Sequence, residues 1–167
     1  MEGNKDKIKP RALLIFGAPC SGKTTFAEKF ANKFKLTYYN LSAVEKDYGL
    51  SFEDLLAVFE LVLKTRQSLV LEGCIDSEKE RTELRNVLRS HGYDPTLIWV
   101  QTDMATIRLR LKMRYKNVAK AKKAYDDAVA LLEAPTDVEK PIILSGKHTF
   151  ETQVRHVVKG LAEQADK

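Results

Sequence analysis

The sequence predicts a three-layer α/β domain built on a five-stranded parallel sheet. Three observations predict it. Short apolar runs without polar alternation, such as 11–16 (RALLIF) and 68–72 (SLVLE), read as strands covered on both faces. Segments with helical spacing separate these runs, and such alternation implies parallel strands joined by right-handed crossovers. The 167 residues are the size of one domain, and 44% hydrophobic with 31% charged residues suits a single packed core.

The elements follow in order. Residues 1–10 are polar and end in Pro10, a short flexible lead-in. The run 11–16, stopped by Gly17, is the central strand. Helix 24–34 places Phe26, Phe30 and Phe34 on one face, and a second strand lies near 36–40. Ser51 caps a helix whose apolar face is Phe52, Leu55, Leu56, Phe59 and Leu63, with Asp54 in its first turn. The strand 68–72 ends in Glu72-Gly73. Leu84, Val87, Leu88 and His91 mark a helix stopped by Gly92, and 96–100 is the fourth strand. A basic stretch is helical from Met104, interrupted near Asn117 and resumed through Ala124, Ala128, Leu131 and Leu132. Pro135 and Pro141 bound a loop, 142–144 is the fifth strand, and Val154, Val157, Val158 and Leu161 form the inner stripe of a closing helix.

The net charge of +5 is local. Between Met104 and Tyr125 lie eight cations, Arg108, Arg110, Lys112, Arg114, Lys116, Lys120, Lys122 and Lys123, and no acid, which leaves the remainder at 20 basic against 23 acidic residues. A local basic site therefore explains the charge better than a generally basic surface. No apolar run approaches the roughly 20 residues of a membrane span, and residues 1–6 carry no apolar leader, so a cytoplasmic protein is expected. Two cysteines, Cys20 and Cys74, are too few for a disulfide framework and read as free thiols in a reducing compartment.

Gly17-Ala18-Pro19-Cys20-Ser21-Gly22-Lys23-Thr24 matches G-x-x-x-x-G-K-[ST] in full, between a strand and a helix. A phosphate chain must be wrapped by backbone N–H groups, and Gly17 and Gly22 allow the curvature and close approach this needs. Lys23 can reach the β and γ phosphates, the Thr24 hydroxyl can ligate Mg²⁺, and Thr25 continues into the helix, whose N-terminus adds partial positive charge. ATP with Mg²⁺ is the expected ligand. Glu72, at the end of an apolar strand, stands where a carboxylate positions the metal.

The loop, the strand LVLEG followed by Cys74, the helix through Leu84 and Leu88, the strand TLIWV before Gln101-Thr102-Asp103, and the pair Arg110-x-x-x-Arg114 together resemble the small P-loop kinases related to zeta toxin, chloramphenicol phosphotransferase and the kinase domain of polynucleotide kinase. The resemblance spans nearly the whole chain and implies a P-loop NTPase fold with strand order 2-3-1-4-5 and a helical lid over about 104–133. It implies that Arg110 and Arg114, at i and i+4 on one helix face, close over the phosphates, where a planar donor fork neutralises transferring charge. It implies that Gly146 and Lys147, in Ser145-Gly146-Lys147-His148, contact the adenine. It also implies a carboxylate base just after the second strand. There the sequence departs, because Ser42 holds the aspartate's place. Glu45, Asp47 and Asp76 are the other candidates.

The expected activity is transfer of the ATP γ-phosphate to a hydroxyl of a small molecule or nucleotide, by a monomer or small homo-oligomer. The alternatives are a nucleic-acid 5′-hydroxyl kinase gripping its substrate through the lysine run, and a nucleotide-binding protein or slow ATPase. An oxidative Cys20–Cys74 link that distorts the phosphate site is the lesser reading beside two free packing thiols.

Overall fold

The structure, a computed structural model, describes residues 9–165. All but the last two residues of the expected lead-in lie outside that range. Five strands, β1 (Arg11–Phe16), β2 (Thr37–Asn40), β3 (Leu69–Glu72), β4 (Asp94–Gln101) and β5 (Ile142–Ser145), form one parallel sheet in the order β2-β3-β1-β4-β5. Seven helices accompany it: α1 (Lys23–Phe34), α2 (Leu41–Tyr48), α3 (Phe52–Leu63), α4 (Glu78–Ser90), α5 (Met104–Arg114), α6 (Val118–Leu131) and α7 (Phe150–Ala165).

Alternation along β1 divides the core. Ala12, Leu14 and Phe16 face α3 and α4, joined there by Leu71, Leu84 and Leu88, while Leu13 and Ile15 face α1 and α7 with Val70, Ile98 and Val157. Phe26, Phe30 and Phe34 stack in sequence on α1, the last pair 4.5 Å between ring centroids. The Ser51 cap forms as expected, in a capping box with Asp54.

Three differences from the sequence reading have local causes. The β4 strand begins two residues early and admits Pro95, because β5 does not pair until Ile98 and the missing N–H has no partner to lose on that side. A separate helix, α2, fills 41–48, capped by the Asn40 side chain accepting from Ala43 N–H. On α7 the inner stripe is Gln153, Val154 and Val157, with Val158 47% exposed, since Gln153 turns inward to donate to the Ser145 carbonyl.

Arg81 on α4 is fully buried. Its Nε and Nη2 donate to Glu139 at 2.7 and 3.1 Å, and Nη1 donates to the carbonyls of Asp76 at 2.9 Å and Glu133 at 3.1 Å. The guanidinium lies 4.9 Å from the centroid of the Phe16 ring. Burial pushes the Glu139 carboxyl up, but its bonds with Arg81 and the Thr136 amide prevail and hold it below the usual range. A carboxyl lowered in the folded state stabilises above the ordinary carboxylate range, and that stability is lost as pH falls through the folded value. Glu139→Gln should therefore cost about 3–5 kcal/mol at pH 7 in urea unfolding, the cost of stranding a buried charge, and the gap from wild type should narrow in acid.

Candidate functional site

The carboxyl ends of β1, β3, β4 and β5 converge on the loop 17–24, the place where open α/β sheets bind ligands. Two glycines make the convergence possible. Gly17 has φ +145°, and a Cβ there would stand 2.3 Å from the Val100 carbonyl oxygen; a Cβ on Gly146 would stand 1.9 Å from the Ser21 oxygen. Arg110 then ties the pieces together. Its Nη1 donates to the carbonyls of Cys20 at 2.9 Å and Ser21 at 3.0 Å, and its Nη2 to that of Gly146 at 2.8 Å. Thr102 adds a hydroxyl donated to the same Ser21 carbonyl.

A cavity of about 510 Å³ is lined by Pro19, Cys20, Gly22, Lys23, Thr24 and Thr25 of the loop and by Arg110, Arg114 and Gly146. The expected loop and lid residues thus share one space. Lys23 Nζ donates to the Ala18 carbonyl at 3.4 Å. Arg114 and Arg108 are exposed, Arg108 outside this lining. Lys147 also stands outside it, with its ammonium 3.0 Å from Asp103, whose carboxyl is held low by the Thr106 amide and then by Lys147.

Glu72 is 3% exposed, and both of its oxygens are used. Oε1 accepts from the Thr24 hydroxyl and Oε2 from the Tyr38 hydroxyl, each at 2.6 Å. Tyr38 pairs with Val70 in the β2–β3 register, so Tyr38 and Glu72 are diagonal neighbours on the face that α1 covers, which is where Thr24 sits. The Tyr38 hydroxyl is driven well above its usual range by burial and then by Glu72. Hard oxygen donors of this kind fit Mg²⁺. Among the described residues no cluster of three His, Cys, Asp or Glu could hold a metal alone, so phosphate oxygens would have to complete the set.

The base candidates separate. Ser42 Oγ accepts from the Cys74 amide at 3.2 Å, Glu45 accepts from the Cys74 thiol at 3.4 Å, and Asp47 is exposed. Asp76 is half-buried; burial raises its carboxyl while the charge of Lys23 pulls the other way. Asp76 and Lys23 therefore act on one another, and the Asp76 main chain is clamped by Arg81 and by the Glu133 amide at 2.9 Å.

Both cysteines are free. Cys20 packs against Ile107, Leu111, Ala121 and Tyr125, and Cys74 against the α3–α4 cluster. Of the lysine run, Lys122 and Lys123 pair with Asp126 and Asp127 one turn along α6.

No family model matches the chain. Over 79 residues, 46% of its length, it is 33% identical to the outer mitochondrial transmembrane helix translocase of Danio rerio, and it spans 22% of that relative. Solved structures match it along nearly its whole length. A gluconokinase from Sinorhizobium meliloti 1021 superimposes with a TM-score of 0.72 at 18% identity, covering 95% of both chains. Kti12 of Chaetomium thermophilum in complex with ADP-AlF3 does so at 0.69 and 16% identity, covering 91% and 97%. The Mycobacterium tuberculosis APS kinase CysC in complex with AMPPNP and APS does so at 0.66 and 16%, covering 92% and 98%. The fold is the P-loop NTPase fold. Among the described residues no helix is long and apolar enough to cross a membrane.

Sequence reading missed Tyr38, Thr102 and Arg81. Only the β2–β3 register sets Tyr38 diagonal to Glu72, and nothing local marks the other two. The Cys74 thiol is pushed up to about 12, chiefly by burial and further by Glu45, so it stays protonated near neutrality. Iodoacetamide at pH 8 should leave Cys74 largely unmodified in the folded protein, as read by peptide mass mapping; rapid modification would contradict the bonded, half-buried thiol.

Proposed function

We propose that this chain is an ATP-dependent phosphotransferase moving the γ-phosphate of ATP to a hydroxyl of a small molecule or nucleotide. The observation that carries the proposal is the placement of the Thr24–Glu72 oxygen pair directly beside a complete phosphate loop. Likeness of fold to a gluconokinase and an APS kinase supports the same class, and the Arg110–Arg114 pair supports a relation to the zeta toxin and chloramphenicol phosphotransferase group.

Each residue has a task. The loop amides and Lys23 hold the phosphates, Lys23 exchanging the Ala18 carbonyl for phosphate oxygens. The Ser21 hydroxyl, buried and without a partner among the described residues, is a further donor within the loop. Thr24 and Glu72 would hold Mg²⁺, which would supply positive charge against the phosphates. Tyr38 keeps the Glu72 carboxylate in place as the Thr24 hydroxyl turns from it. Arg110 spends its donors on three carbonyls and so fixes the lid to the loop, which leaves Arg114 to reach the transferred group. Gly146 borders the nucleobase, while Lys147, paired with Asp103, stands outside the cavity at the phosphate loop.

Asp76 is the base in this scheme. Its carboxylate takes the proton of the acceptor hydroxyl as the new O–P bond forms, the bond between the γ-phosphorus and the bridging oxygen breaks, and ADP departs. Ser42 in the aspartate's usual place favours one other reading, a nucleotide-binding protein or slow ATPase. A polynucleotide 5′-hydroxyl kinase has less support, since two of the lysines proposed to grip the substrate are paired within α6.

Lys23→Ala should lower ATP affinity about 10- to 100-fold, the worth of one or so hydrogen bonds to a charged group, with the unfolding curve unchanged. Calorimetric titration reads the affinity, and an unaltered value would sink the phosphate-site assignment. Labelled phosphate from ATP should appear on an acceptor drawn from a thermal-shift screen of hydroxyl metabolites; hydrolysis indifferent to every acceptor favours the ATPase reading.

A further inference from the structure

The sheet extends one strand beyond its cover on the α4 side. Ile143 of β5, paired with Trp99 of β4 on that face, is 49% exposed, whereas the opposite face of β5 buries Ile142 and Leu144 under α7. The uncovered bay is a cavity of about 1030 Å³, twice the volume of the one at the phosphate loop and at the upper end of small-molecule sites. Trp99 and Ile143 form its floor, and Tyr125 and Leu132 of the lid stand over it.

Its charge is one-sided. Arg155, His156 and Lys159 of α7 line it, together with Lys147, and the one carboxylate in the lining, Asp103, is ion-paired to Lys147. Lys159 is loosely held by Glu163 at 3.7 Å, and among the described residues Arg155 makes no ion pair. An apolar, aromatic floor beside the unpaired Arg155 and the loosely paired Lys159 selects a flat apolar body carrying an anionic group.

The cavity also touches the back of the phosphate loop. Ala18 belongs to its lining, and the Ala18 carbonyl receives both the Lys23 ammonium and the Ser21 amide. Thr102, likewise in the lining, donates to the Ser21 carbonyl. A ligand lodged there bears on the loop from the side opposite the phosphates.

We propose that this bay between β4, β5, the lid and α7 is a second ligand site, separate from the nucleotide site, for an aromatic molecule bearing a carboxylate, sulfonate or phosphate. The probe is the aromatic sulfonate 8-anilinonaphthalene-1-sulfonate, and the reporter is Trp99, the single tryptophan of the chain. The full-length protein should show saturable quenching of tryptophan emission at one equivalent, and saturating Mg²⁺-ATP should not displace the probe. Ile143→Asp, which sets a carboxylate in the floor, should weaken probe binding by about tenfold or more with ATP affinity unchanged, and Arg155→Glu should weaken it severalfold. Absence of saturable quenching, displacement of the probe by ATP, or wild-type probe affinity in Ile143→Asp would overturn the proposal. Should Ile143→Asp also lose ATP binding, Arg155→Glu decides, and unaltered probe affinity in that variant overturns it.

Discussion

The buried guanidinium of Arg81 is the constraint on which the rest of the architecture hangs. From α4 it reaches the segment after β3 through the Asp76 carbonyl, the exit of the lid through Glu133 and Glu139, and the end of β1 through the Phe16 ring. Those three segments carry the base candidate, the lid and the entry to the phosphate loop. A charge taken this far out of water must have every donor matched, so the bonds fix geometry as well as stability. Phe16 in turn stacks on Trp99, 6.2 Å between centroids, which passes the constraint to β4 and the bay beyond it.

Around that anchor the donor side is built before any ligand arrives. Arg110 holds the Cys20 and Ser21 carbonyls of the loop in place, and Tyr38 pins Glu72 so that the Thr24 hydroxyl alone has to turn. Preorganisation of this kind lowers the reorganisation that binding and charge development demand. The acceptor side is organised differently. Ser42, Glu45 and Cys74 spend their polar atoms on one another, while the half-buried Asp76 carboxyl feels the charge of Lys23.

Much of this was legible in the chain. The buried strand 11–16 and the phosphate loop follow from patterns of short range, because buried parallel strands need continuous apolar runs and a phosphate cradle needs glycine at fixed places, whereas the strand order was expected from the family resemblance. The Ser51 cap and the break in the lid near Asn117 are equally local. What escaped depends on contacts between distant residues. Arg81 and Glu139 are 58 residues apart, and Arg81 reads in sequence as one more charge on an exposed helix. Tyr38 and Glu72 meet through register, and Val158 lost its inward place to a glutamine that had a carbonyl to satisfy. Arg110 was legible as a lid residue, but the three carbonyls that absorb its donors were not.

The most direct measurement on the central claim is a pair of calorimetric titrations of the wild-type protein with ATP, one in Mg²⁺ and one in EDTA. If Thr24 and Glu72 hold the metal against nucleotide bound in the loop, affinity is tighter in Mg²⁺ by about tenfold or more. Thr24→Val should abolish most of that difference while leaving the metal-free affinity near that of wild type. Equal affinity in Mg²⁺ and EDTA, or no ATP binding in either, would contradict the assignment of this site.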